Sequence, residues 1–114
     1  MDYAFVYDPA LSQYELSDSH PFKPVRLELT KSLLTATGLL EDKHTVQPYP
    51  INETQLLRIH QKDYVDAVKA VSKNANFEDA YSYGLGTSDN PIFPNMHEAI
   101  MRVCSATTTA VHLV

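Results

Sequence analysis

The chain reads as an α/β protein built on a parallel sheet, and three observations carry that reading. Two short aromatic and β-branched segments, Tyr3–Pro9 and Val46–Pro50, have the look of buried strands. The strands alternate with helices, the pattern of an α/β protein. Helices then follow to the final residue, and the last has no stop signal. Two strands alone cannot bury a parallel sheet, which needs cover on both faces. The chain is therefore expected to be an incomplete single domain, residues 1–114 with no separate domains within it.

Taken in order, Tyr3–Pro9 is stopped by Asp8-Pro9, and the polar run after it reads as a loop. Ser19-His20-Pro21 and Lys23-Pro24 must be extended, because a residue before proline is pushed out of the α region. Pro24 suits the start of a helix, where its missing N–H costs nothing. That helix carries Val25, Leu29, Leu33 and Ala36 as an apolar stripe and ends at Gly38 in a left-handed cap. The prolines fix how the chain enters the helix, which is useful if the preceding loop must be held against something.

Val46–Pro50 is the second strand. Asn52 caps the next helix with Gln55 as capping-box partner, and that helix stops near His60. Asp63 caps another, Tyr64–Lys73, with Val65, Val68 and Val71 inward. A polar connection from Asn74 to Asn90 follows, with Tyr81, Tyr83 and the Gly84-Leu85-Gly86 turn. Connections of that length are often functional. Asn95 and Glu98 form the capping box of the last helix. Its expected inward face is Ile100, Val103, Cys104, Thr107, Ala110, Val111 and Val114.

Composition narrows the function. A net charge of −5 leaves no basic field to hold nucleic acid. No apolar run approaches the roughly 20 residues that span a bilayer, and the N-terminus lacks a basic region before an apolar core. One cysteine, Cys104, excludes an internal disulfide framework and fits a reducing compartment, so a cytoplasmic location is expected. Asp18-Ser19-His20 has a two-apart carboxylate–imidazole spacing, but a zinc site needs three or four ligands and nothing nearby completes it. Gly84-x-Gly86 lacks the third glycine of a dinucleotide loop. Cys104 sits on an apolar helix face, where packing is its expected role. Arg26, beside an apolar stripe, reads from the pattern alone as a snorkelling surface arginine. No complete catalytic constellation is visible.

Four matches in register give the chain a resemblance. His20-Pro21-Phe22-Lys23-Pro24 followed by Arg26 is similar to the H-P-[MF]-x-x-x-R of the histone deacetylase family. His60-Gln61-Lys62-Asp63-Tyr64-Val65 resembles its H-x-x-[DE]-Y-[VIL]. Tyr83-Gly84-Leu85-Gly86, followed by Asp89-Asn90-Pro91, resembles its Y-G-L-G and D-[CN]-P segment. The early strand ending in Tyr7-Asp8 is the fourth. The bacterial acetoin-utilisation branch is the part of the family it looks most like.

The resemblance implies the N-terminal fragment of an arginase/deacetylase-like three-layer α/β/α fold. It implies a parent that is a zinc-dependent deacetylase of acetyl-lysine or small acetylated amines. In that family a metal-bound water attacks the acetyl-amide carbonyl, a histidine pair moves protons and a tyrosine stabilises the oxyanion. Those groups lie beyond this segment, so no catalytic residue and no metal ligand is expected on it. The isolated chain is expected to bind no zinc. By resemblance, Asp89 is the rim carboxylate that accepts substrate backbone N–H groups. Arg26 and Phe22 line an inner cavity from which acetate leaves, and Leu16 stands where some relatives carry an aromatic. The expected partners are the remainder of the same deacetylase domain and the acetylated substrate, with self-association of the isolated chain. A reading of another class stands beside this one: a non-catalytic binding or assembly module that keeps the N-terminal half of the fold.

Overall fold

The structure is a computed structural model that describes residues 2–114. Its elements in chain order are β1 (Phe5–Val6), α1 (Val25–Ala36), β2 (Thr45–Val46), α2 (Glu53–Leu56), α3 (Lys62–Lys73) and α4 (Met96–His112). Short 3-10 turns at Pro9–Ser12, Asp42–His44 and Ala80–Tyr83 lie between them. The fold is thus mixed α/β with a small parallel sheet, as the sequence predicts. The chain divides into two compact units. One takes the segments through Tyr14, Pro24–Ile51 and Met101–Val114; the other takes Glu15–Lys23 and Asn52–Ile100.

In the first unit, β1 and β2 pair in parallel with Phe5 opposite Thr45 and Val6 opposite Val46. The Tyr7 N–H extends the ladder by donating to the Val46 carbonyl at 2.9 Å. Both strands are much shorter than the predicted segments, and each has a local cause. After Tyr7, the Asp8 carboxylate accepts the Ala10 N–H at 2.8 Å and caps the turn that starts at Pro9. That turn buries Leu11. After Val46, Pro48 and Pro50 have no N–H to give a ladder.

The Pro-interrupted segment instead bonds to α4. The Tyr49 N–H donates to the Thr109 hydroxyl at 2.7 Å, and the Ile51 N–H to the Ser105 hydroxyl at 3.3 Å. Each hydroxyl donates in turn to the carbonyl one helical turn back, Thr109 to Ser105 and Ser105 to Met101, both at 2.8 Å. Thr109 is only 1% exposed. The inward face of α4 here is therefore Ser105 and Thr109, and the predicted Val111 and Val114 point outward. Small hydroxylated side chains win because they let a backbone without its own ladder approach closely and be satisfied.

Helix α1 shows a similar inversion. Its half-buried positions are Leu27, Lys31 and Leu34. They face the Pro9–Ser12 turn and Tyr7, with the Lys31 ammonium 5.3 Å from the Tyr7 ring centre. The predicted stripe is turned outward: Leu29 is 62% and Leu33 65% exposed. The helix ends as expected. Gly38 adopts φ +73°, and the Leu39 and Leu40 N–H groups return to the Leu34 carbonyl at 2.9 and 3.1 Å.

In the second unit, α3 buries Val65 and Val71, as its pattern predicts, and Ala67 with them, while the predicted Val68 is only half-buried; the core there also includes Ala80, Leu85, Phe93, Met96 and Ala99. Gln55 accepts the Asn52 N–H at 2.9 Å at the start of α2, and Lys69 of α3 pairs with Glu53 of α2. The start of α4 departs from prediction. Asn95 has φ 58°, not the extended backbone of a normal cap. Buried Ser72 does the capping from α3. Its hydroxyl accepts the His97 N–H at 3.1 Å and donates to Glu98 at 3.1 Å, while its carbonyl accepts the Asn95 N–H at 3.3 Å. The Glu98 carboxyl is held below its usual range, chiefly by its own backbone N–H and then by the Ser72 hydroxyl.

Two predictions follow from these ties. Thr109→Val keeps the volume but strands the part-buried Tyr49 N–H, so it should cost about 1 kcal/mol or somewhat more. Chemical denaturation measures this, with faster hydrogen exchange at the Tyr49 amide; a neutral Thr109→Val would show that the hydroxyl is not the tie. For Glu98, a depressed folded pKa means stability fully present above the unfolded value of 4.5 and lost as pH falls through the folded one. Glu98→Gln should therefore flatten the fall of the urea midpoint on acidification from about pH 6 to pH 3, relative to the unsubstituted chain.

Candidate functional site

The loop that carries Asp89 starts from a buried anchor. The turn at Ala80–Tyr83 closes on Gly84, whose φ of +74° favours glycine, and Leu85 is buried with its N–H on the Ala80 carbonyl at 3.1 Å. Gly86 follows at φ +85°, and its N–H donates to the Asn90 carbonyl at 2.8 Å. The Thr87 hydroxyl accepts the Asn90 N–H at 3.0 Å. Residues 86–90 are thereby closed into a tight loop. Buried Phe93 and Met96 anchor the chain beyond it. Asp89 lies exposed on this loop.

The segment from Glu15 to Lys23 lies against it. The Lys23 ammonium donates to the Ser17 and Asp18 carbonyls at 3.0 and 2.9 Å, which folds the segment on itself. The His20 ring then makes two contacts. Its Nδ1 accepts the Phe22 N–H at 3.0 Å, and its Nε2 lies 3.0 Å from the Asp89 carbonyl oxygen. A nitrogen that accepts from a backbone N–H carries the lone pair, so the proton of the neutral ring is on Nε2, which donates to Asp89. The loop stiffened by Pro21 and Pro24 is held against something, and that something is the Asp89 loop.

Phe22 and Asp89 thus lie in one unit, their backbones linked through the His20 ring. Arg26 lies in the other unit, exposed in the first turn of α1. Its charge acts on Tyr14, whose phenol is pushed up by burial while the guanidinium pulls the other way. In the Asp18-Ser19-His20 spacing both nitrogens of the His20 ring are taken up by these two contacts. Among the described residues no three His, Cys, Asp or Glu side chains converge as a metal-holding group, so these donors do not fit a zinc ion. Half-buried Cys104 has its thiol pushed up by burial, which leaves little thiolate to react. Tyr14, Thr87 and the His20–Asp89 contact escaped the sequence reading. His20 and Asp89 each stood in a visible motif, but nothing joined the two motifs; a tyrosine in an irregular loop and a threonine in a polar turn carry no periodicity.

A second concavity belongs to the first unit. It is a cleft of about 340 Å³ at the carboxyl ends of β1 and β2, lined by Asp8, Leu11, Gln47, Pro50, Met101 and Ser105 among others. Ligands of open α/β sheets bind at such strand ends. No candidate residue from the sequence lines it.

Residues 20–114 match the histone deacetylase domain. The chain belongs to the histone deacetylase family. Relatives place it in the acetoin-utilisation branch. It is 38% identical over 110 residues to the acetoin utilization protein AcuC of Bacillus subtilis (strain 168), covering 96% of this chain and 28% of that protein. It is 38% identical over 112 residues to the protein of the same name from Staphylococcus aureus (strain MSSA476), covering 97% and 29%. For that of Staphylococcus xylosus the identity is 36% over 100 residues, covering 87% and 26%. The deacetylase-family chain therefore spans less than a third of the length of these relatives. No helix among the described residues is long and apolar enough to cross a membrane.

The glycine that sets the Asp89 loop is open to test. A Cβ on Gly86 would meet Ile92 Cδ1 at 3.4 Å, and φ +85° disfavours any L side chain. Gly86→Ala should cost about 1–2 kcal/mol. It should also loosen the Gly86–Asn90 closure, read as faster amide exchange at Gly86. Unchanged stability and exchange would show that the loop does not need the left-handed backbone.

Proposed function

We propose that the chain is the N-terminal segment of a zinc-dependent deacetylase-like hydrolase of the three-layer α/β/α arginase/deacetylase fold. Its substrates are acetyl-lysine or small acetylated amines, its setting the cytoplasm. The segment supplies the active-site rim and part of an inner-cavity wall; the zinc ligands and proton-transfer groups belong to the rest of the family domain. The observation that carries this reading is the exposed Asp89 carboxylate on a loop closed by Gly86–Asn90 and Thr87 and braced by His20. An ionised carboxylate is acceptor-only and takes two donors, which suits a pair of substrate backbone N–H groups. A loop fixed before the substrate arrives loses little entropy on binding.

Arg26 is the cation that draws a carboxylate product, and Phe22 is a wall of the same cavity. What supports the Arg26 assignment is its place in the H-P motif and its electrostatic reach to Tyr14, which stays a neutral phenol and does not cancel the charge. The remainder of the deacetylase domain is the expected partner. The outward apolar face of α1 (Val25, Leu29, Leu33) supports that, because apolar stripes at helical spacing are normally covered.

The experiment uses the full-length deacetylase carrying this segment. Each charge-assisted hydrogen bond from Asp89 contributes about 1.5–3 kcal/mol. Asp89→Ala should cut kcat/KM for an acetyl-lysine peptide about tenfold or more. Asp89→Asn should fall between, and a small acetylated amine should lose much less, having no backbone to hold. Equal losses on both substrates with a sharply lower Tm would make Asp89 a structural residue and sink the rim assignment.

A further inference from the structure

We propose that His20 is a positioning residue for the Asp89 carboxylate, and through it a determinant of peptide over small-amine selectivity. The inference rests on Asp89 serving at the rim and goes beyond it by naming what aims that carboxylate. The peptide unit joining Asp89 to Asn90 is pinned at both ends. Its N–H donates to the Thr87 hydroxyl at 3.0 Å, and its carbonyl oxygen lies 3.0 Å from His20 Nε2. A peptide unit is planar, so holding both its N–H and its C=O fixes the rotation between it and the Asp89 Cα. That rotation sets the direction of the Asp89 Cα–Cβ bond, and with it where the carboxylate points.

The Thr87 hydroxyl and the Gly86–Asn90 closure come from the loop itself and move with it. His20 is the anchor from a distant part of the sequence, 69 residues away. Its own position is fixed by the Phe22 N–H on Nδ1 and by the Ser17 carbonyl, which accepts the His20 N–H at 3.3 Å. The Lys23 ammonium locks that turn onto two carbonyls. The neutral imidazole is the group the geometry requires: one nitrogen accepts while the other donates across to the rim loop. A carboxylate turned away from the substrate N–H groups holds the peptide less well, which raises KM rather than lowering kcat. A substrate without a backbone at the rim does not feel this.

Two substitutions separate the functions of the two nitrogens. In His20→Asn the amide oxygen can take the place of Nδ1 and keep the Phe22 N–H, but the side chain is too short to reach the Asp89 carbonyl. In His20→Gln the amide nitrogen can reach the place of Nε2 and keep the cross-loop bond. The full-length deacetylase carrying this segment is assayed on an acetyl-lysine peptide and on a small acetylated amine, with Asp89→Ala alongside. His20→Asn should raise KM for the peptide about fivefold, the order of one neutral hydrogen bond, with kcat within about twofold. His20→Asn should leave the small amine unchanged, and His20→Gln should restore the peptide KM. A neutral His20→Asn beside an impaired Asp89→Ala overturns the positioning role alone. Neutral effects from both overturn the rim reading and this inference with it. A His20→Asn that lowers Tm and impairs both substrates equally, or a His20→Gln that fails to rescue, also overturns it.

Discussion

The constraint that shapes the first unit is the absence of a ladder beyond two residues per strand. β2 is followed at once by Gln47-Pro48-Tyr49-Pro50-Ile51, whose prolines cannot donate. The N–H groups of Tyr49 and Ile51 must still be satisfied where they lie partly buried. Thr109 and Ser105 satisfy them, and both hydroxyls also return a bond to their own helix. That requirement sets the rotation of α4, and so decides which of its residues face out. Helix α1 packs against the Pro9–Ser12 turn, and its half-buried positions are Leu27, Lys31 and Leu34 rather than its longer apolar stripe.

The second unit solves a different problem: how to present a charged loop without letting it wander. Its core is ordinary, with Val65, Ala67 and Val71 on α3 against Leu85, Phe93 and Met96. The loop above that core is polar and could not be ordered by burial. Hydrogen bonds order it instead, from Gly86 to Asn90, from Asn90 to Thr87 and from His20 to Asp89. Ser72 plays the matching part at the other end of the segment, where it caps α4 from a neighbouring helix. At α4 that hydroxyl from a neighbouring helix replaces the local Asn95 cap that the sequence pattern leads one to expect.

Membership of the histone deacetylase family gives these features a common sense. A segment covering less than a third of its relatives' length keeps an apolar stripe on α1 turned outward. The parallel pair of strands is two residues long on each side.

Local chemistry was legible in the residues themselves. The α/β class, the helix over Val25–Ala36 with its Gly38 cap, the inward valines of α3 and the Gly84-Leu85-Gly86 turn all follow from periodicity, proline and glycine rules that act within a few residues. The motif around His20 and the segment around Asp89 were legible as a family resemblance. Their joining was not, because a side-chain nitrogen meeting a carbonyl 69 residues away leaves no spacing in the sequence. The outward turn of Leu29 and Leu33, the capping of α4 by Ser72 and the inward choice of Thr109 over Val111 were decided by tertiary structure alone. At Ser72 and Thr109 a backbone group that had to be satisfied outweighed the local pattern. An unpaired buried N–H costs as much as a well-placed methyl group gains, and only the folded chain determines which N–H groups are left unpaired.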